Sequence, residues 1–174
     1  MENVAKKIAQ FKAKFETIMI ASLSSKNQVI CSNTPLLQSN LGNFICISKS
    51  AEHFDSISTN PNNIEVMFIE DEQNANILAR KRLKYRANAV YLPKSSQIFD
   101  QVFAEFEAMD EMYSVIKNMA DFHIFKLEFG KGRAVFGFGQ AYDIDGDIIT
   151  KVIANHRKKV KISDCHTKIS YDNL

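Results

Sequence analysis

The stretch from Phe44 to Ala89, "FICISKSAEHFDSISTNPNNIEVMFIEDEQNANILARKRLKYRANA", decides the architecture. "FICIS", Phe44 to Ser48, is short and apolar and predicts a buried strand. Ser50 reads as an N-cap, with Glu52 in the first turn, where a carboxylate favours the helix dipole. The helix "AEHFDSIST" stops at Asn60-Pro61, because a residue before proline avoids the helical region. "IEVMFIE", Ile64 to Glu70, is the next strand. "DEQNANILA" predicts a polar loop or a short helical turn. "KRLKYRANAVYL" then alternates over a long strand, with Leu83, Tyr85, Ala87, Ala89 and Tyr91 on one face.

On the N-terminal side, Val4, Ile8, Phe11 and Phe15 recur at helical spacing. "TIMIASL", Thr17 to Leu23, predicts a buried strand, Val29 to Cys31 a second, and Pro35 to Gln38 an edge segment. On the other side, Ser95 and Ser96 open a helical region striped by Ile98, Val102, Phe103 and Phe106, continued by Met112, Val115 and Ile116. "DFHIFKLEF" is a strand with His123, Phe125, Leu127 and Phe129 on one face. "RAVFGFGQAYDI" is read as one further strand whose glycines predict a bend or a close backbone approach. Asp145-Gly146 is a hairpin signal. Residues 1–150 are expected to form the folded domain, and 151–174 a basic C-terminal tail. About six to eight strands with three helices, short turns and few crossovers predict a mainly β, α+β barrel.

The chain has 174 residues and a net charge of +2, so no global field favours nucleic acid or a membrane surface. The N-terminal residues carry charges throughout and lack the apolar run of a signal peptide. No stretch of about eighteen apolar residues occurs, so no membrane partner is expected. Cys31, Cys46 and Cys165 form no CxxC pair, which argues against structural zinc and fits a reducing cytoplasm.

The order of "FICIS", the serine-to-histidine stretch ending at His53, "IEDE" at Ile69 to Glu72, "ARKRL" at Ala79 to Leu83 and "GFGQAY" at Gly137 to Tyr142 resembles the HugZ-type haem-degrading oxygenases. These are a branch of the flavin-binding split-barrel superfamily that includes pyridoxamine-phosphate oxidase. The resemblance spans roughly Thr17 to Tyr142 and implies a homodimeric split β-barrel. It further implies haem bound at the subunit interface, as substrate and oxygen-activating cofactor, with release of iron and an opened tetrapyrrole. The electron donor is not specified. The resemblance implies that FMN is not used, although an FMN-dependent oxidase or reductase on the same barrel and a non-catalytic haem carrier are the rival readings.

The site residues follow from that resemblance. A haem iron needs an axial imidazole. The family ligand lies near the C-terminus, where His156 stands, with His166 as runner-up. Asp121 matches the acidic residue behind the ligand, or else merely initiates its strand. Arg80, Lys81 and Arg82 are expected to meet the haem propionates, with Arg80 and Arg82 facing one way. On the same barrel they would meet a flavin phosphate, and a solvated basic edge strand would also explain them. Lys49 and Lys84 are lesser candidates of the same kind. His53 matches a family histidine at the strand-to-helix stretch, or is a first-turn residue bonded to a helix end. His123 reads as a hydrogen-bonded core histidine.

Overall fold

The computed structural model describes residues 2–74 and 76–155. The chain opens with α1 (Glu2–Lys12), followed by β1 (Thr17–Leu23), β2 (Val29–Pro35), β3 (Leu37–Ser39) and β4 (Gly42–Ser48). Then come α2 (Glu52–Thr59), β5 (Ile64–Ile69), two short 3-10 turns, β6 (Arg82–Leu92), α3 (Phe99–Met109) and α4 (Met112–Ile116). The last elements are β7 (Phe122–Val135), β8 (Gln140–Asp145) and β9 (Ile148–Asn155). The strands form one antiparallel sheet in the order β2-β1-β5-β6-β7-β4-β3, with β8 added to β7 and β9 to β8. The sheet curls into the split barrel that the sequence predicts.

The split lies on β7. Residues 122–127 of this strand pair with β4, and residues 131–135 pair with β8, while its other edge follows β6. β4 is buried on both faces, which explains its unbroken apolar run. Ile45 and Ile47 point into the barrel; Phe44 and Cys46 pack beneath α3 and α4 with Val102, Phe103 and Phe106. Burial pushes the Cys46 thiol up to about 12, so it stays protonated and inert.

α1 lies over the split. Ile8 and Phe11 are buried in the barrel core, worth about 1.5–3 kcal/mol each. Gln38 Nε2 donates to the carbonyls of Lys12 and Phe15 at 2.9 Å. Lys12 Nζ meets Asp147 Oδ1 at 2.8 Å, an exposed pair worth about 0–1 kcal/mol, so apolar burial dominates the docking.

Three local expectations change. "RAVFGFGQAYDI" is not one strand: a hairpin turn divides it at Gly137 and Gly139, whose φ of 120° and 68° are accessible to glycine. The close backbone approach falls instead on Gly132, where a Cβ would lie 2.0 Å from the Lys84 carbonyl oxygen. Ser50 is not the N-cap of α2; Ala51 holds that position without a side-chain bond, because the Ser50 hydroxyl is engaged by Ser48. Asp145-Gly146 turns as expected, and β9 continues the sheet across residue 150 to Asn155.

Candidate functional site

The chemically equipped residues gather at two opposite ends of the barrel. At the first end, β4 runs out into α2 and β7 begins. The Lys49 N–H donates to the Asp121 carbonyl at 2.8 Å, pinning the two strand ends together. The Ser48 hydroxyl donates to Asp121 Oδ2 at 2.8 Å and lies 2.7 Å from the Ser50 hydroxyl. Asp121 Oδ1 has no hydrogen bond to a described residue. The carboxylate is thus oriented from one side and open to a further donor.

His123 stands two residues along the same strand. Its Nδ1 lies 3.3 Å from the Tyr91 hydroxyl, and its ring centroid is 5.2 Å from that of Phe54. It is half-buried, and its buried Nε2 has no partner among the described residues. The expectation of a hydrogen-bonded core histidine therefore holds for one nitrogen only. Strand alternation does put it on the core face, but at the end of β7, where the core opens. Burial, reinforced by Lys49 and Lys94, pulls its pKa down against a smaller upward pull from Asp121.

His53, in the first turn of α2, is 7 % exposed, and its Nε2 is likewise buried without a partner among the described residues. The imidazole is thus not bonded to a helix end through that nitrogen. Burial lowers its pKa, opposed by Glu52. Both imidazoles are therefore neutral near pH 7, the form that can ligate or accept.

The second end holds the cations. Arg80 Nε donates to the Glu70 carbonyl at 2.8 Å, and Arg80 Nη1 meets Glu72 at 2.7 Å. Arg80 precedes the strand, so its direction is set by this loop and not by alternation with Arg82. Lys81 Nζ meets Glu70 at 2.8 Å, a bond that holds the Glu70 carboxyl below its ordinary range. Arg82 opens β6 on its exposed face and has no ion pair to a described residue. On the same face, Lys84 pairs with Glu65 at 3.0 Å, and Arg133 with Asp143 at 2.8 Å. Together with Arg86 and Lys131 they line an open groove of about 700 Å³.

Arg82 and Leu92 begin and end β6, so the two ends lie roughly 33 Å apart along the strand. The structure brings Asp121, His53 and His123 to one end, and Arg80, Lys81 and Arg82 to the other. His156 and His166 lie outside the described residues. Arg82, Val135, Ala141 and Ala154 share one row of the sheet, and Asn155 pairs with Gln140. The chain therefore leaves β9 at the Arg82 end. Among the described residues no group of three or more His, Cys, Asp or Glu is disposed to hold a metal, and no helix is long and apolar enough to cross a membrane.

Ser48, Tyr91 and Lys94 were not singled out by sequence reasoning. A Ser-Lys-Ser run between strand and helix was a usable signal for the first. Tyr91 meets His123 diagonally across the β6–β7 pairing, a register that no local pattern announces.

The curled antiparallel sheet with its few flanking helices defines the class of split-barrel proteins. No family model matches the sequence. Heme oxygenase HutZ of Vibrio cholerae serotype O1 is 33 % identical over 156 residues, covering 87 % of this chain and 88 % of HutZ. The chain belongs to the HugZ/HutZ-type haem oxygenase family. The crystal structure of Campylobacter jejuni ChuZ superposes with a TM-score of 0.81 at 43 % identity, over 91 % of this chain and 66 % of ChuZ. A crystal structure of Vibrio cholerae HutZ, described there as a heme storage protein, gives a TM-score of 0.68 at 28 % identity, over 76 % of this chain and 93 % of HutZ.

Proposed function

We propose that the protein binds haem between two subunits and opens the porphyrin ring oxidatively, releasing iron. The observation that carries the reading is the separation of the candidate groups: β9 ends at the Arg82 end of the sheet, with His156 next in sequence, and the carboxylate suited to orient it stands a strand length away. A His156–Asp121 contact therefore requires a second subunit, related by a two-fold that sets opposite ends together. Apolar surface at Met19, Val90, Val152 and Ile153 favours such pairing. The relatives named as heme oxygenase and heme storage protein support haem as the ligand.

The residues fit that ligand. Its two propionates call for cations, and its iron for a neutral imidazole. Arg82 meets a propionate directly. Arg80 and Lys81 are already paired, but the Arg80 partner Glu72 is 76 % exposed, so exchanging it for a propionate costs about 0–1 kcal/mol. His156, or His166 in its place, would supply an imidazole to the iron. Asp121 accepts that ring's second N–H through its open oxygen, which orients the ring and increases its donor strength. His123 presents a neutral imidazole near this carboxylate, and His53 a second at the same end of the barrel. Haem supplies the oxygen activation when bound; the chain binds, orients and limits water. A haem carrier is the second reading, favoured by the storage description of HutZ; both use the same site.

Haemin titration with absorption spectroscopy tests the binding, and product analysis after addition of oxygen and a reductant tests ring opening. Stoichiometric haem binding with loss of the histidine-ligated spectrum in His156→Ala, and its return with imidazole, is expected. Loss in His166→Ala alone reassigns the ligand. Tight yellow FMN binding without specific haem binding overturns the reading.

A further inference from the structure

Ile77, Leu78 and Phe138 stand in solvent at 81 %, 74 % and 71 % exposure. Single exposed apolar residues need no explanation. Three on two loops that leave the same sheet edge do. The loop between β5 and β6 is clamped by Glu70. Its N–H donates to the Lys81 carbonyl at 2.9 Å, its carboxylate accepts from Lys81 N and Nζ at 3.1 and 2.8 Å, and its carbonyl accepts from Arg80. Within the loop, Asn76 accepts the Leu78 N–H at 3.0 Å. The β7–β8 hairpin carrying Phe138 is closed by Phe136 N–H to Gln140 O at 3.0 Å and Gln140 N–H to Gly137 O at 3.2 Å. Two loops tied at their bases thus hold bulky apolar side chains in solvent.

Sheet register sets their placement. Ile69, Arg82, Val135 and Ala141 form one row across four adjacent strands. The two loops therefore flank β6 and β7 at roughly 10 Å, with Arg80 and Arg82 at the foot of the first. Apolar side chains around a pair of cations complement a flat apolar molecule edged with carboxylates. We infer that Ile77, Leu78 and Phe138 form an apolar wall against the porphyrin face at the Arg82 end, holding the ligand and keeping water from it. This rests on the haem reading and assigns it residues that neither motif nor resemblance supplies.

The test compares wild type with Ile77→Ser/Leu78→Ser, Phe138→Ser and the conservative Ile77→Val/Leu78→Ile. Transfer of haem to excess apomyoglobin and the sedimentation of each dimer are measured. The serine variants are expected to lose haem about tenfold faster at unchanged oligomeric state, while the conservative variant stays within about twofold. Wild-type transfer rates in both serine variants overturn the wall and leave the haem reading standing. Dissociation into monomers assigns the three residues to a contact between copies and overturns it equally. Failure of wild type to bind haem removes both.

Discussion

Subunit mixing isolates the claim that one site draws on two chains. Leu92 pairs with Ile124, and Asp121 lies three residues further, so Asp121 stands more than roughly 33 Å along the sheet from the row that carries Ala154. His156 is one residue beyond Asn155 and gains about 3.8 Å of backbone; with both side chains extended, roughly 20 Å stays uncovered. The proposed contact of His156 with Asp121 therefore calls for a second chain. Two variants, His156→Ala and Asp121→Asn, each damage every site of a homodimer. In a heterodimer of the two, one site combines both lesions and the other is intact. Equal mixing with free exchange makes about half the dimers mixed, so about a quarter of all sites are restored. Haem consumption under excess reductant is the assay, with each variant alone as baseline. Recovery near a quarter of wild type supports the two-chain site. Activity no greater than the average of the separate variants, with exchange verified by tags, refutes it. His166 is about eleven residues past Asn155 and commands about 36 Å of extended chain. A His166→Ala and Asp121→Asn mixture that stays inactive while His166→Ala alone loses the ligand would assign a site within one chain.

The other expectations concern single positions. Arg82→Ala should weaken haem binding about 10- to 150-fold, the worth of one charge-assisted hydrogen bond; Arg80→Ala should cost less than tenfold, because Arg80 must first leave Glu72, and equal losses by titration would contradict this. Gly132→Ala should destabilise by about 2–4 kcal/mol in urea unfolding, since the Lys84 backbone blocks the new methyl, whereas Gly130→Ala, whose nearest atom is 3.8 Å away, should stay within about 1 kcal/mol. The folded-state pKa values of His53 and His123 are lowered, so the unfolded chain takes up protons that the folded chain refuses; stability is intact above about pH 6.5 and falls as pH drops below it. The His53→Gln/His123→Gln variant should flatten that fall in Tm between about pH 7 and 5, and an unchanged slope would count against the assignment.

Much of the fold was legible because its strands announce themselves locally. The double-sided burial of "FICI", the stop at Asn60-Pro61 and the Asp145-Gly146 turn each follow from a few neighbouring residues. Gly137 and Gly139 misled because a strand pattern on both sides hid a two-glycine turn, visible only when β7 is seen to continue unbroken through Gly132. The candidate site was half legible. Asp121, His53 and the Arg80 to Arg82 run stand out as residues, but their partition between two barrel ends depends on strand register. Glu70 and Glu72 were quoted as part of a motif, yet their hold on Lys81 and Arg80 required the loop to fold back on itself.

The docking of α1 has a consequence for the order in which the protein can be made. Lys12 and Asp147 are 135 residues apart in the chain. Synthesis delivers Ile8 and Phe11 well before the turn holding Asp147. Gln38 is available early, but the β7 end that offers Phe136 to Phe11 follows the helix only after β1 to β6 have been made. The nascent chain therefore exposes an amphipathic helix with no completed surface to cover, the circumstance in which chaperones bind and aggregates begin. Barrel closure waits on the hairpins of β7, β8 and β9, so the contacts that seal the core under α1 are among those of longest sequence separation.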